Sequence, residues 1–514
     1  MRISDYFVRA ARLHPDRVAL RDREQTFTYA EGLAYIDRVA NALMGACAKG
    51  AHIAIYSPND CRVSLLQLAI NRADLAWISM HPGNSGAANA KILQQFGCAL
   101  LFYHPAFAAR IEEVRAVLPD LRLIAMDEDG SGRACINTWA KADAPAPPRL
   151  PEQGDEICIL QPTGGTTGRS KGVVHTHRSL EACILAFVHE DYTMRDCEML
   201  AVAPLTHAAG IRALSGLAVG GAITVLPAFD VQAVLETIAR YRITSIFLPP
   251  TALYAILDHP LTRETDLSSL NNITVGAAPM SPDRFRQAIA VFGPILHEAY
   301  GQTEALAPLT YKSPRDYLRP DGSLDEAALA SIGRPAYNAH VHIMDDEGRL
   351  LPIGQEGEIV VRCTSVMKHY FNDPKATEAV SRFGWHHTED VGRMDERGFI
   401  TLLDRKKDMI ISGGFKIYPA QVEAAINAHP SVAESIVIGV PDEKWGEAVK
   451  AVVQRKPGAE VSSDEILDLC RERLGRIYAP RSVESWDTLP RNTVGKLLRR
   501  VVRDQFWQGV DRRI

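Results

Sequence analysis

The chain has 514 residues and a formal net charge of −5. It is too long for one hydrophobic core, so two or more domains are expected. The near-balanced charge gives no global pull toward nucleic acid or an anionic membrane, and any anion site has to be local. The nine cysteines include no C-x-x-C pair, which argues against zinc or a disulfide framework and for a reducing compartment. Met1-Arg2-Ile3-Ser4-Asp5 lacks the pattern of a signal peptide, so a cytoplasmic location is expected.

Taken in chain order, short apolar strands alternate with amphipathic helical stretches, the pattern of α/β layers. Thr28-Tyr29-Ala30-Glu31 is a capping box opening a helix toward Leu43. Ile53-Ala54-Ile55-Tyr56 reads as a buried strand ending at Ser57-Pro58-Asn59. Residues 142–151, rich in Ala and Pro, read as an exposed linker. The most apolar stretch, 213–229, is interrupted by Ser215, Gly216, Gly220, Gly221 and Pro227. It reads as a buried helix feeding a buried strand rather than a membrane span. Further strands are expected at 223–226 and 246–248. After Asp404 the pattern changes. Pro419 suits a first helical position before Val422, Ala425 and Ile426, and strands follow at 435–440 and 448–454. A second capping box, Ser462 to Glu465, opens a helix with Ile466, Leu469, Cys470 and Leu474 on its apolar face. The expected architecture is α/β: a large multi-subdomain N-terminal domain of sheets flanked by helices over 1–404, and a small mobile α+β domain over 405–514.

The chemistry-bearing segments are concentrated in a few loops. Thr163-Gly164-Gly165-Thr166-Thr167-Gly168-Arg169-Ser170-Lys171-Gly172 lies between apolar Ile157-Cys158-Ile159-Leu160 and Val173-Val174. Flexible glycines, hydroxyls and a lysine can wrap a phosphate; the plain alternative is a Gly/Thr-rich surface turn. It is not a P-loop, because Arg169-Ser170 separates Gly168 from Lys171. In Tyr300-Gly301-Gln302-Thr303-Glu304 the acid can hold Mg²⁺, a hard cation that bridges to phosphates, or simply cap a helix. Gly276-Ala277-Ala278-Pro279, after a strand, is small enough to let a flat ring lie on the backbone. Elsewhere Thr388-Glu389-Asp390, Asp404-Arg405-Lys406-Lys407-Asp408 and Pro490-Arg491-Asn492-Thr493-Val494-Gly495-Lys496 complete the set.

Together these segments resemble, in order and across nearly the whole chain, the signatures of the adenylate-forming superfamily. Its members include acyl-CoA synthetases, luciferases and peptide-synthetase adenylation domains. The resemblance is closest to acyl- or aryl-CoA ligases and related amide-forming ligases. The family usually has Ser at Gly164, Pro at Ser170 and Gly at Glu389. The resemblance implies an ATP-dependent ligase that joins a carboxylic acid to AMP, releases pyrophosphate and passes the acyl group to a second nucleophile. It implies that Thr163, Gly164, Gly165, Thr166, Thr167, Gly168 and Lys171 grip the phosphates. Gly276, Ala277, Ala278, Tyr300 and Gly301 would flank adenine, Thr303 would meet the α-phosphate and Glu304 would ligate Mg²⁺. Asp390 and Arg405 would hold the ribose, Lys407 would be the hinge pivot, and Lys496 would be the catalytic lysine of the first half-reaction.

By the same resemblance, Pro204-Leu205-Thr206-His207-Ala208-Ala209-Gly210 lines the carboxylate entrance, with His207 as wall or gate. Ala208, Gly210, Ile211, Ala277, Ala305 and Leu306 would make an apolar pocket suited to an uncharged aryl, cyclic or medium-length acid. Ser412, Gly413, Gly414 and Trp445 would border the acceptor tunnel. CoA is the expected acceptor, yet the family's aromatic-basic-x-Pro segment reads Ile477-Tyr478-Ala479-Pro480, and an amino acid or amine is the alternative. Carrier-protein loading and a non-catalytic adenylate sensor are further alternatives. Neither nucleic acid nor a membrane span is expected.

Overall fold

The computed structural model describes residues 1–141, 146–148, 154–163, 171–491 and 497–507. The chain divides into two compact units, residues 1–341 with 361–386, and residues 342–360 with 387–514.

The first unit is built on two sheets. Among the described residues, one has nine strands in the order Arg334–Pro335, Ala305–Lys312, Leu296–Gln302, Asn272–Gly276, Ser245–Leu248, Glu198–Ala201, Ala222–Val225, Val18–Arg21 and Thr26–Thr28. The other has seven, ordered His369–Tyr370, Gly172–Thr176, Ile157–Pro162, Ala76–Ser79, His52–Tyr56, Cys98–Tyr103 and Arg122–Ala125. Both are parallel at the centre; the nine-stranded sheet turns antiparallel at both edges and the seven-stranded sheet at one. One hydrophobic core joins residues of both sheets to those of helices Ile3–Leu13, Tyr29–Ala46, Cys61–Arg72, His177–Glu190 and Ala208–Ala218. Cys61–Arg72 is buried at every position but its last, and Ala208–Ala218 at every position but its first. A helix covered all round belongs between layers. This is how the apolar 213–229 stretch is used: helix, then the buried strand Ala222–Val225. No described helix is long and apolar enough to cross a membrane.

The second unit holds most of a four-stranded sheet, Ala339–Met344, Glu356–Cys363, His386–Met394 and Ile400–Arg405. It also holds the sheet of Phe415–Ile417, Ile410–Ser412, Gly446–Arg455 and Val432–Asp442, with Ser482–Ser485 parallel to Gly446–Arg455. Helices Pro419–Asn427 and Ser463–Leu474 contribute Val422, Ile426, Ile466 and Cys470 to its core.

Local signals act where they were read. Thr28 and Glu31 exchange both hydrogen bonds of a capping box, at 2.8 and 3.2 Å. Ser462 and Glu465 do the same at 2.7 and 3.2 Å, and Pro419 is the first residue of its helix. In Ser463–Leu474 the expected face packs inward, with Ile466 and Cys470 in the core and Leu474 against it; Leu469 is half-buried and Leu467 is buried as well.

Candidate nucleotide and acid site

Ile157–Pro162 and Gly172–Thr176 pair antiparallel out to Pro162 opposite Gly172, and the Thr163 amide donates to the Lys171 carbonyl at 2.8 Å. The strand pair thus brings the ends of the Gly/Thr loop together. Gly164, Gly165, Thr166, Thr167 and Gly168 lie outside the described residues. Gly172 has no room for a side chain, since a Cβ would stand 2.2 Å from the Phe96 ring. The Lys171 ammonium sits over the Tyr370 ring, 4.7 Å from its centre. The Tyr370 hydroxyl in turn donates to Glu304 Oε1 at 2.8 Å. Glu304 is not a helix cap; Thr303 and Glu304 form the turn between Leu296–Gln302 and Ala305–Lys312. Met367 N donates to the Glu304 carbonyl at 2.7 Å, and His175 Nε2 lies 2.7 Å from the Thr303 carbonyl. Burial holds the His175 imidazole down to about 4, so near neutral pH Nε2–H can donate to that carbonyl. Both carbonyls of the turn are therefore held. Oε2 of Glu304 has no partner among the described residues, and this half-buried carboxylate is the hard oxygen donor that Mg²⁺ prefers.

Asn272–Gly276 lies parallel to Leu296–Gln302, with Gly276 opposite Ala299. That register sets Ala277 and Ala278, both exposed, beside Tyr300 and Gly301. A Cβ on Gly276 would stand 2.9 Å from the Ala299 carbonyl, and one on Gly301 would stand 2.6 Å from the Ala307 amide. Ala277 itself has φ +68.

His207 is the residue before helix Ala208–Ala218. Its Nδ1 is 3.0 Å from Thr206 Oγ1, whose hydroxyl donates to the Met80 carbonyl at 2.7 Å. With that hydroxyl proton committed, Nδ1 carries the ring proton. The His81 ring meets His207 edge-on at 5.2 Å, and burial first, then His81, holds His207 down to about 4. Gly210 is obligatory, because a Cβ would stand 1.6 Å from the Leu205 carbonyl. Ile211 and Leu306 belong to the same core cluster, Ala305 is fully buried and Ala208 is exposed. Sequence reading passed over Tyr370, His175, His81 and the buried pair Arg212–Asp191. Arg212 directly follows Ile211, so a charge next to an apolar run was the available signal. Tyr370 gave none, because its partner is 66 positions away.

In the second unit, Asp390 and Arg405 are cross-strand partners, with Nε 3.5 Å from Oδ1. Asp390 is buried and Arg405 exposed. Glu389 takes φ +59, a conformation that favours glycine, and its carboxylate pairs with Lys407 at 2.9 Å. Asp404 is pushed up to about 6, chiefly by burial, against the opposing pull of Arg499. Gly413 and Gly414, φ +58 and +85, make the turn between Ile410–Ser412 and Phe415–Ile417. Gly413 N donates to the Trp445 carbonyl at 2.9 Å, and a Cβ there would stand 2.4 Å from the Trp445 ring. Arg481 covers that ring at 4.9 Å. Ser412, Gly413, Gly414 and Trp445 thus form one cluster. Lys496 lies outside the described residues.

The family model for AMP-binding enzymes matches residues 7–371, and that for the AMP-binding enzyme C-terminal domain matches 421–496. The chain belongs to the AMP-binding enzyme family. The first match contains Thr163, Lys171, Glu304 and Tyr370; the second ends at Lys496. The medium/long-chain-fatty-acid–CoA ligase FadD8 of Mycobacterium tuberculosis is 36% identical over 498 residues, 93% of this chain and 86% of that protein. A feruloyl-CoA synthase of an Amycolatopsis species is 35% identical over 507 residues, 97% of this chain and 98% of that protein. Among solved structures, the amide bond synthetase McbA of Marinactinospora thermotolerans superposes with a TM-score of 0.88 at 31% identity, covering 98% of this chain and 100% of that one. This AMP-binding enzyme is an AMP-forming acid ligase, which activates a carboxylic acid as its acyl-adenylate.

Proposed function

We propose that the enzyme couples an uncharged aryl, cyclic or medium-length carboxylic acid to CoA, with ATP and Mg²⁺. The observation that carries the ATP half is the contact chain Lys171–Tyr370–Glu304 beside the closed ends of the Gly/Thr loop. Attack of a carboxylate on the α-phosphate gathers negative charge, and a water-poor site with fixed donors stabilises it. Thr163 and the loop amides hold the phosphates, with Lys171 adding charge. Thr303 meets the α-phosphate, and Asp390 with Arg405 holds the ribose. Glu304 holds Mg²⁺, which would neutralise phosphate charge. His207, neutral near pH 7 because its pKa is about 4, can border a carboxylate without forming an ion pair.

Lys496 then completes the first half-reaction, and the 405–514 domain turns about Lys407 to offer the acceptor tunnel at Ser412, Gly413, Gly414 and Trp445. Relatives matched over 86% and 98% of their own length and named as a CoA ligase and a CoA synthase support the thioester reading. Amide formation is the second reading. It is favoured by the likeness to an amide bond synthetase and by Ile477 and Tyr478 standing exposed where a ring and a positive charge are usual.

The test is pyrophosphate release across an acid panel, followed by CoA or mixed amino acids and mass spectrometry of the products. A CoA thioester supports the proposal, an amide without thioester replaces it, and no pyrophosphate from any acid sinks it. Lys496→Ala is expected to abolish adenylation while sparing reaction of supplied acyl-adenylate. Equal loss of both steps would remove the role given to Lys496.

A further inference from the structure

The strand register lays out one sheet face in order. Thr274 stands opposite His297 and Gly276 opposite Ala299, with Tyr311 opposite Ala299 on the next strand. Asn272, Thr274 and Gly276 therefore share a face with His297, Ala299 and Gly301. The end toward Gly276 and Gly301 is small. Roughly 13 Å away, four residues down the strand at about 3.3 Å each, the face becomes polar.

Arg212 reaches this polar end from helix Ala208–Ala218. Its Nη2 donates to the Asp191 carboxylate and lies 3.4 Å from Thr274 Oγ1. Asp191 also accepts from Asn272 Nδ2 at 3.0 Å and from the Thr193 amide and hydroxyl, so both its oxygens are in use. Arg212 is 1% exposed, yet its Nε and Nη1 have no hydrogen-bond partner among the described residues. His297, whose Nδ1 is 3.0 Å from the Tyr311 hydroxyl, has no partner for Nε2 among the described residues. Buried donors left unused are costly, about 1–3 kcal/mol each and more when charged. Packing alone would have been served by an apolar residue, because buried ion pairs add little net stability.

We propose that this cluster is the far wall of the acid pocket and selects acids bearing a neutral hydrogen-bond acceptor, such as a ketone or ether oxygen, remote from the carboxylate. The inference rests on the acid-ligase reading above and adds a substrate class to it. Arg212 and, through Nε2, His297 supply the donors. Asp191 already balances the guanidinium, so a second carboxylate would bring an uncompensated charge into a buried site.

Three acids of equal length, about ten carbons to match the roughly 13 Å span, are compared by pyrophosphate release with the full-length enzyme. They are an acid with a penultimate ketone, the plain fatty acid and the α,ω-diacid. The keto acid is expected to exceed the plain acid in kcat/KM by about 10- to 100-fold. In the double variant Arg212→Met/Asp191→Asn, which removes both charges together, the ratio should collapse to within about threefold. Thermal melting reports whether that variant folds. Equal use of the two acids by the wild type, preference for the diacid, or a ratio that survives the double variant would overturn the proposal. If no acid releases pyrophosphate, the activity reading has failed by itself. Calorimetric binding of the same three acids to the wild type then still measures the preference and decides this inference.

Discussion

Tyr370 places a hydroxyl on Glu304 and a ring under Lys171, so it orients two charged groups that would contact ATP and its metal. Tyr370→Phe removes the hydrogen bond and keeps the ring. It should raise KM for ATP about tenfold, as expected for one hydrogen bond to a charged group, with no change in melting temperature. Steady-state kinetics checks this. Glu304→Gln should cost far more in the adenylation rate, because the carboxylate proposed to hold Mg²⁺ is lost. Glu304 could be picked out in sequence because its motif is contiguous. Tyr370, His175 and Arg212 could not, because each works through partners brought together only by strand pairing or helix packing.

Two elements begin or turn at residues chosen for backbone reasons. Helix Ala208–Ala218 starts over the Leu205 carbonyl, which leaves Gly210 no space for a Cβ. Gly210→Ala should therefore destabilise by more than about 2 kcal/mol and displace His207, visible as a lower urea midpoint and a higher KM for the acid. Strand His386–Met394 carries the opposite case. Glu389 occupies a left-handed conformation, and its side chain gains an ion pair whose partners are 53% and 42% exposed. Exposed pairs contribute about 0–1 kcal/mol, while a non-glycine residue at positive φ costs about 1 kcal/mol or more. Glu389→Gly should leave stability unchanged or raise it by up to about 1 kcal/mol, read from the same urea curves. Capping boxes at Thr28 and Ser462 and Pro419 at a helix start were visible in sequence for the reason that they act within four residues. The strand His369–Tyr370, at the edge of the sheet that carries the Gly/Thr loop, was not, since two residues carry no periodicity.

At the scale of the molecule, four histidines of the first unit, His175, His177, His207 and His297, are each held down to about 4, mainly by burial. In an unfolded chain they titrate near 6.5. Between those values the unfolded state binds protons that the folded state refuses, so stability is fully present above about pH 6.5 and falls as pH drops toward 4. Urea midpoints should be flat from about pH 7 to 8 and decline steadily below about 6, and His175→Gln should make the decline shallower. A midpoint unchanged down to pH about 4.5 would contradict this account. The division of labour follows from range. By itself the sequence determined the alternating α/β layers, the helix starts, the contiguous phosphate, Tyr-Gly-x-Thr-Glu and lysine motifs, and hence membership of an acid-activating family, because all of these are written in neighbouring residues. Tertiary structure alone decided that Tyr370 meets Glu304, that His81 faces His207, and that Arg212 lies buried against Asp191 with two donors unused among the described residues. Those contacts depend on which strands pair and in what register, and registry between distant segments is settled by packing the whole core, not by any local pattern.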